Sequence, residues 1–184
     1  MPLPASGAIS ISQISTELGR ASTATTSLGE TASRSLAGVA SGQISMSNFY
    51  GKSLTFNFSP TIASNTTNYN LKSAAIAAGW NQTAPLNATV TINGGVYVYS
   101  TSTGAYAFQT GVTFPAGTTL RLINNGIILG MGGAAGVGGV NNLAGGAGAG
   151  GGPALLAQHA IQITNNGVIA GGGGGGSGGT AFSA

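Results

Sequence analysis

The apolar and polar positions of this chain fall into three regimes. Over residues 1–53 the apolar residues are sparse and helically spaced. Ser10-x-x-Gln13 forms a capping box that satisfies orphan amide donors at a helix start, Ile11, Ile14 and Leu18 follow at helical spacing, and Gly19 ends the turn. A second helix is predicted from the box Ser27-x-x-Glu30, with Glu30 and Arg34 paired four residues apart, Leu36 as its apolar contact and Gly38 as its stop. The segment echoes itself: Ser6-Gly-Ala-Ile-Ser-Ile-Ser-Gln-Ile14 returns as Ser41-Gly-Gln-Ile-Ser-Met-Ser-Asn-Phe49. A domain this small buries little area alone, so it is expected to dock onto a partner.

Over residues 54–118 the pattern alternates. Strands are predicted at Leu54–Phe58, Thr89–Ile92, Val96–Tyr99, Ala105–Phe108 and Val112–Phe114, with Asn93-Gly94-Gly95 a tight-turn signal and Pro115-Ala-Gly117 a turn. A short helix is expected over Tyr69–Ala78, with Leu71 and Ile76 inward, Gly79 as its stop and Trp80 anchoring the corner. Residues 119–184 carry two copies of one motif. Leu120-Arg-Leu-Ile-Asn-Asn-Gly126-Ile-Ile-Leu-Gly130-Met-Gly-Gly133 returns as Ile161-Gln-Ile-Thr-Asn-Asn-Gly167-Val-Ile-Ala-Gly171-Gly-Gly-Gly174. Each copy is a strand, a corner, a second strand and a glycine tract. Short strands recurring with such corners suggest solenoid-like stacking, and two rungs are too few for a stable array, so neighbouring subunits or further chain are expected to complete it. Glycine gains no side-chain burial, so order in the tracts requires dense backbone hydrogen bonding or close packing of glycine faces.

The expected fold is therefore mainly β. It comprises a small helical N-terminal module (1–53), a central β-sandwich-like or α/β unit (54–118), and a glycine-rich β-solenoid-like or polyglycine part (119–184).

Composition narrows the chemistry. Charged residues make up 4% of the chain: Glu17, Arg20, Glu30, Arg34, Lys52, Lys72 and Arg121. None lies beyond Arg121, and such a neutral surface is expected to be covered by copies of itself or by a larger assembly. A net charge of +3 from so few residues makes no basic patch, so nucleic-acid binding is not expected. With no cysteine, disulfides and thiolate metal sites are excluded. The start of the chain has neither the basic nor the apolar region of a secretory signal, and no apolar run reaches the roughly 20 residues of a membrane span. Release in a virus particle by lysis would take such a protein outside a cell without a signal.

Catalytic motifs fail on inspection. Gly51-Lys52-Ser53 lacks the glycine that a phosphate-binding loop needs at position 46, where Met46 stands. Gly130-x-Gly132 has neither the helix nor the acidic residue of a dinucleotide fingerprint, so no cofactor is expected. His159 is the one histidine and lies far in sequence from Glu17 and Glu30, both of which read as helix-capping or surface positions. A catalytic triad, a glycosidase carboxylate pair and a metal site are thus all disfavoured, and no enzyme is expected. Tyr97, Tyr99, Tyr106 and Phe108 could stack on sugar rings, but core and subunit packing is the simpler reading.

Leu3-Pro-Ala-Ser-Gly-Ala-Ile-Ser-Ile-Ser-Gln-Ile14-Ser-Thr-Glu-Leu18-Gly, with Gly42-Gln-Ile-Ser-Met-Ser-Asn-Phe-Tyr-Gly-Lys-Ser53, resembles the N-terminal module of tail-associated proteins of tailed bacteriophages. The Asn-Asn-Gly-x-Ile-x-Gly-x-Gly-Gly copies resemble glycine-rich regions of phage tail fibres and receptor-binding proteins. The resemblance implies a virion structural protein, assembled in the host cytoplasm and located on the phage tail. It would attach to tail or baseplate proteins by its N-terminus and present its distal region for adhesion to a host cell-surface receptor. Ile9, Ile11, Ile14, Leu18, Phe49 and Tyr50 would serve virion attachment. Asn124, Asn125, Gly126, Asn165, Asn166 and Gly167 would shape the distal surface or oligomer contacts. A homotrimer is expected, as in phage fibres. The alternatives are a head decoration or neck fibre protein without a receptor role, and a polysaccharide-degrading tailspike.

Overall fold

The computed structural model describes residues 3–181. It divides into two compact units: the described part of Met1–Asn57 with Trp80–Asn87 and Phe114–Thr118, and Phe58–Gly79 with Ala88–Thr113 and the described part of Thr119–Ala184. The described residues are mainly β, with three α-helices and parallel sheets.

In the first unit, α1 spans Ile11–Glu17 and begins at the expected capping box: Ser10 accepts from Gln13 N, and the Gln13 side chain accepts from Ser10 N at 2.7 Å. α2 spans Thr31–Ala37 and departs from the expected start. Its N-cap is Glu30, without a side-chain capping bond, because the Ser27 hydroxyl accepts from Gly29 N instead. Glu30 does not pair with Arg34 either. Its carboxylate meets Arg20 and Ser33, while Arg34 donates to the carbonyls of Gly29 and Gly42. A 3-10 turn over Met46–Phe49 carries a second capping box, Ser45 with Asn48, that sequence reading did not identify.

The sequence echo is thus a structural one. Gly7 and Gly42 both take positive φ (90° and 85°), Ser10 and Ser45 both cap a helical turn, and Ile14 and Phe49 are both fully buried. These two side chains join Leu3, Leu36 and Ala37 in one core, against which Ile9, Leu18, Leu28, Val39, Ile44 and Met46 pack. Glu17 is buried and accepts from Ser53 Oγ at 2.8 Å and Leu54 N at 2.9 Å, tying the end of this segment to α1. Elsewhere in the unit Trp80 stacks on Phe114 at 5.7 Å and donates to Ala84 O, and Phe56 N, at the start of β1 (Phe56–Phe58), donates to Pro85 O.

The second unit is wound rather than sandwiched. The chain lays short strands on three sheets in turn. The first pass is β2 (Thr61–Ile62), β3 (Thr66–Thr67) and β4 (Tyr69–Asn70), which leads into α3 (Leu71–Ala77). The second is β5 (Leu86–Ile92), β6 (Tyr97–Tyr99) and β7 (Phe108–Gln109). The third is β8 (Thr119–Asn124), β9 (Ile127–Leu129) and, after a glycine-rich excursion, β10 (Leu155–Leu156). The last is β11 (Ile161–Asn165) and β12 (Val168–Ala170). Strands stack as β2-β5-β8-β11, β3-β6-β9-β12 and β4-β7-β10. The β2–β5, β3–β6, β4–β7, β6–β9, β7–β10, β8–β11 and β9–β12 pairs are parallel.

This arrangement replaces the sandwich-like or α/β expectation for the central residues. The Asn93-Gly94-Gly95 turn does not fold β6 back on β5; it carries the chain from one sheet to the next. Inward side chains at alternate positions fill the interior, among them Ile62, Val90, Ile92, Val98, Phe108, Leu122 and Ile128. Three local expectations also shift. Tyr69–Asn70 is a strand, with the Asn70 side chain capping α3 through Ser73 N. Ile76 is exposed, whereas Leu71 and Ala75 are buried. Of the strands expected over 105–114 only Phe108–Gln109 forms. Tyr69 stacks on Phe108 at 5.5 Å, and burial pushes its phenol up to about 12.

Candidate adhesion and attachment surfaces

The two Asn-Asn-Gly corners lie one on the other. β8 and β11 run in register from Leu120 with Ile161 to Asn124 with Asn165, so residues 41 apart in sequence stack as neighbours. Asn124, fully buried, donates from Nδ2 to Asn165 Oδ1 at 2.8 Å and to Val168 O at 3.1 Å, and its Oδ1 accepts from Gly126 N. Asn166 Nδ2 donates to Asn125 Oδ1 at 2.9 Å. Asn125, Asn165 and Asn166 are exposed, and Gly126 is buried. The glycines are required by contact. A Cβ at Gly126 would lie 2.4 Å from Val96 O, and one at Gly167 would lie 2.0 Å from Gly126 O.

Beyond β9 and β12 the glycine tracts are held by a three-residue rhythm of backbone bonds. Gly130, Gly133, Gly136 and Gly139 donate to Ala170, Gly173, Gly176 and Gly179; Gly172, Gly175 and Gly178 donate to Gly152, Ala149 and Gly146; and Gly146, Ala149 and Gly152 donate back to Val137, Ala134 and Met131, all at 2.7–2.9 Å. The register makes segments 130–139 and 170–179 parallel and segment 146–152 antiparallel to both. Every third glycine sits where the backbones touch: a Cβ at Gly133, Gly136, Gly148 or Gly175 would come within 1.9–2.1 Å of a carbonyl oxygen. Gly138, Gly150, Gly173 and Gly176 meet nothing within 4 Å. One obligatory glycine in three is also what the collagen triple helix needs at its crowded axis.

This scaffold displays apolar groups. The loop that joins segments 130–139 and 146–152 turns at Asn141 and Asn142, both with positive φ (51° and 62°), and Leu143 N donates to Val140 O. Around it Val137, Val140 and Leu143 are 78%, 63% and 65% exposed. The strand-and-corner pattern of the sequence gives these three no assigned place. The available signal was that branched residues stood there without a complementary apolar pattern to bury them. A second exposed set is Tyr97 and Tyr99 on β6, while Phe108 is in the core and Tyr106 half-buried.

The expected attachment residues separate by burial. Ile14 and Phe49 lie at 0% exposure in the core with Ile9 and Leu18 packed around them, whereas Ile11 and Tyr50 are exposed, the Tyr50 hydroxyl donating to Gly7 O at 2.7 Å. A groove of about 410 Å³ beside α2 is lined by Thr31, Arg34, Ser35, Gly38, Val39 and Ala40. Among the described residues no three His, Cys, Asp or Glu side chains come together as metal ligands, and no helix is long and apolar enough to cross a membrane. The backbone amides of Gln158 and His159 donate to Thr110 Oγ1, closing the chain over β7.

A backbone-bonded scaffold that presents uncharged side chains to solvent is the architecture of a structural protein. The chain belongs to the phage tail fibre adhesin Gp38 family, whose model matches residues 57–183. Neither curated proteins nor solved structures give a match. The protein is thus a bacteriophage tail-fibre component with an adhesion and receptor-binding role, and the match leaves residues 1–56 outside it.

Proposed function

We propose that this chain is a non-enzymatic adhesin that residues 1–53 mount on other tail or baseplate proteins, and that the glycine-rich residues 119–184 meet a host cell-surface receptor. The observation that carries this reading is the apolar group Val137, Val140 and Leu143, exposed on a charge-free scaffold whose glycine contacts leave the backbone little freedom. Exposed apolar clusters on a soluble scaffold mark interaction sites. On the mounting side, Ile11 and Tyr50 make the contacts with the tail, and Ile9, Ile14, Leu18 and Phe49 hold the shape that presents them. The corners Asn124–Gly126 and Asn165–Gly167 keep the stack in register, and the exposed amides of Asn165 and Asn166 are where a neighbouring subunit of a homotrimer would continue it.

The test uses phage particles. Val140→Asp with Leu143→Asp should leave the protein on the particle and reduce adsorption to host cells about tenfold or more, as loss of central apolar contacts does in other interfaces. Ile11→Asp with Tyr50→Ala should do the reverse, lowering the amount of protein per particle. Unchanged adsorption in the first pair would remove the adhesive role of this loop.

A further inference from the structure

Tyr97 and Tyr99 stand on the outer face of the β3-β6-β9-β12 sheet, 42% and 41% exposed, with Val98 between them fully buried. Alternate residues of one strand place the two rings about 7 Å apart along it. The register sets their neighbours. Thr67 lies beside Tyr99 on β3, Leu129 beside Tyr99 and Ile127 beside Tyr97 on β9. Asn65 lies at the first ring, its Oδ1 accepting from Tyr97 N at 3.0 Å, which holds the amide there and leaves its Nδ2 group to donate to a ligand. The face therefore grades across the strands from an amide and a hydroxyl, through two phenols, to aliphatic side chains.

Two half-exposed aromatic rings side by side on an outer sheet face make a candidate contact surface. The chemistry of the face selects its kind. No charged residue lies on β3, β6, β9 or β12, which leaves nothing to attract phosphate or carboxylate groups. Tyrosine offers an apolar ring with a polar tip, and the Asn65 amide just before β3 and the Thr67 hydroxyl on it add hydrogen-bonding groups at one border. A pyranose has the matching surface: a C–H face that packs on a ring, and hydroxyls at its rim that take hydrogen bonds. We infer that Tyr97 and Tyr99 form a platform for a neutral oligosaccharide, with Asn65 and Thr67 bonding its hydroxyls and Ile127 and Leu129 flanking its apolar edge. The inference rests on the adhesin reading, since it makes a surface glycan a second ligand of the same protein, separate from the Val140–Leu143 loop.

Saturation-transfer NMR on the full chain, with maltose, cellobiose, lactose and N,N′-diacetylchitobiose as probes, tests it. Transfer to the C–H protons of at least one of these sugars is expected. Tyr97→Ala and Tyr99→Ala should each weaken affinity about fivefold, the equivalent of one aromatic contact, while Tyr99→Phe retains most of it. Absence of transfer, or transfer unchanged in both alanine variants, overturns the platform. Dissociation of an oligomer by Tyr97→Ala or Tyr99→Ala in sedimentation overturns it too, and assigns the face to contact between copies. Adsorption of phage to host cells, measured in parallel, separates the two readings. Absence of sugar transfer while the Val140→Asp, Leu143→Asp particles still adsorb poorly removes the platform alone, and absence of transfer together with normal adsorption of those particles removes the adhesin reading with it.

Discussion

The helical first unit and the glycine segments of the second are built on opposite principles. In the first, side chains specify the structure. Ile14 and Phe49 fill a core, two serine-led boxes start the helical turns, and the backbone follows. In the glycine segments the side chains are absent where chains touch, and the backbone amides and carbonyls specify everything. The difference teaches where each region tolerates change. A side-chain core is sensitive to removal of atoms, whereas a backbone bundle is sensitive to their addition. A backbone bundle also leaves outward positions such as Gly138 and Gly150 sterically open.

Substitutions can break this contrast or sharpen it. The largest effect is expected for Phe49→Ala, which empties the centre of the helical core and should cost about 4 kcal/mol, read as early denaturant unfolding of the first unit. The corresponding experiment in the bundle adds one methyl group. Gly136→Ala would put a Cβ 2.0 Å from Gly146 O and should destabilise by about 3 kcal/mol, whereas Gly138→Ala, with nothing within 4 Å, should change stability by less than about 0.5 kcal/mol. Thermal melts of the two alanine variants check it, and equal losses would show that the triplet contacts do not hold the segments. A smaller effect tests the strands that lie between these extremes, where side chain and backbone share the work. Asn124→Ala should cost about 2 kcal/mol, since it orphans buried bonds to Asn165, Val168 O and Gly126 N, while Asn166→Ala, on the exposed side, should cost less than about 1 kcal/mol. Hydrogen exchange of the Gly126 amide, which donates to Asn124 Oδ1, reports the loss directly.

Much of the local structure was written in residue order. The Ser10 capping box, a short helix within Tyr69–Ala78, the alternation in β5 and each Asn-Asn-Gly corner follow from spacing, because each depends on residues within a turn or two of one another. Glu30 shows the limit even there: a box pattern was present, but Arg20, ten residues away, took the carboxylate. The proposed adhesion surfaces were less legible. Phe108 and Tyr99 sit in similar alternating stretches, yet one is core and the other solvent-facing, because the path of the chain decides which face of a sheet is inside.

The sequence by itself determined the short apolar strands, the corners between them and the glycine content that lets backbones meet. Only the tertiary structure decided that β6 turns away from β5 to another sheet, that residues 41 apart become stacked neighbours, and which glycine in each three is obligatory. The physical reason is that periodicity reports which side of a segment is apolar but not what lies against it. Parallel pairing and the phase of a glycine triplet are contacts between distant segments, and they exist only once the chain has wound back on itself.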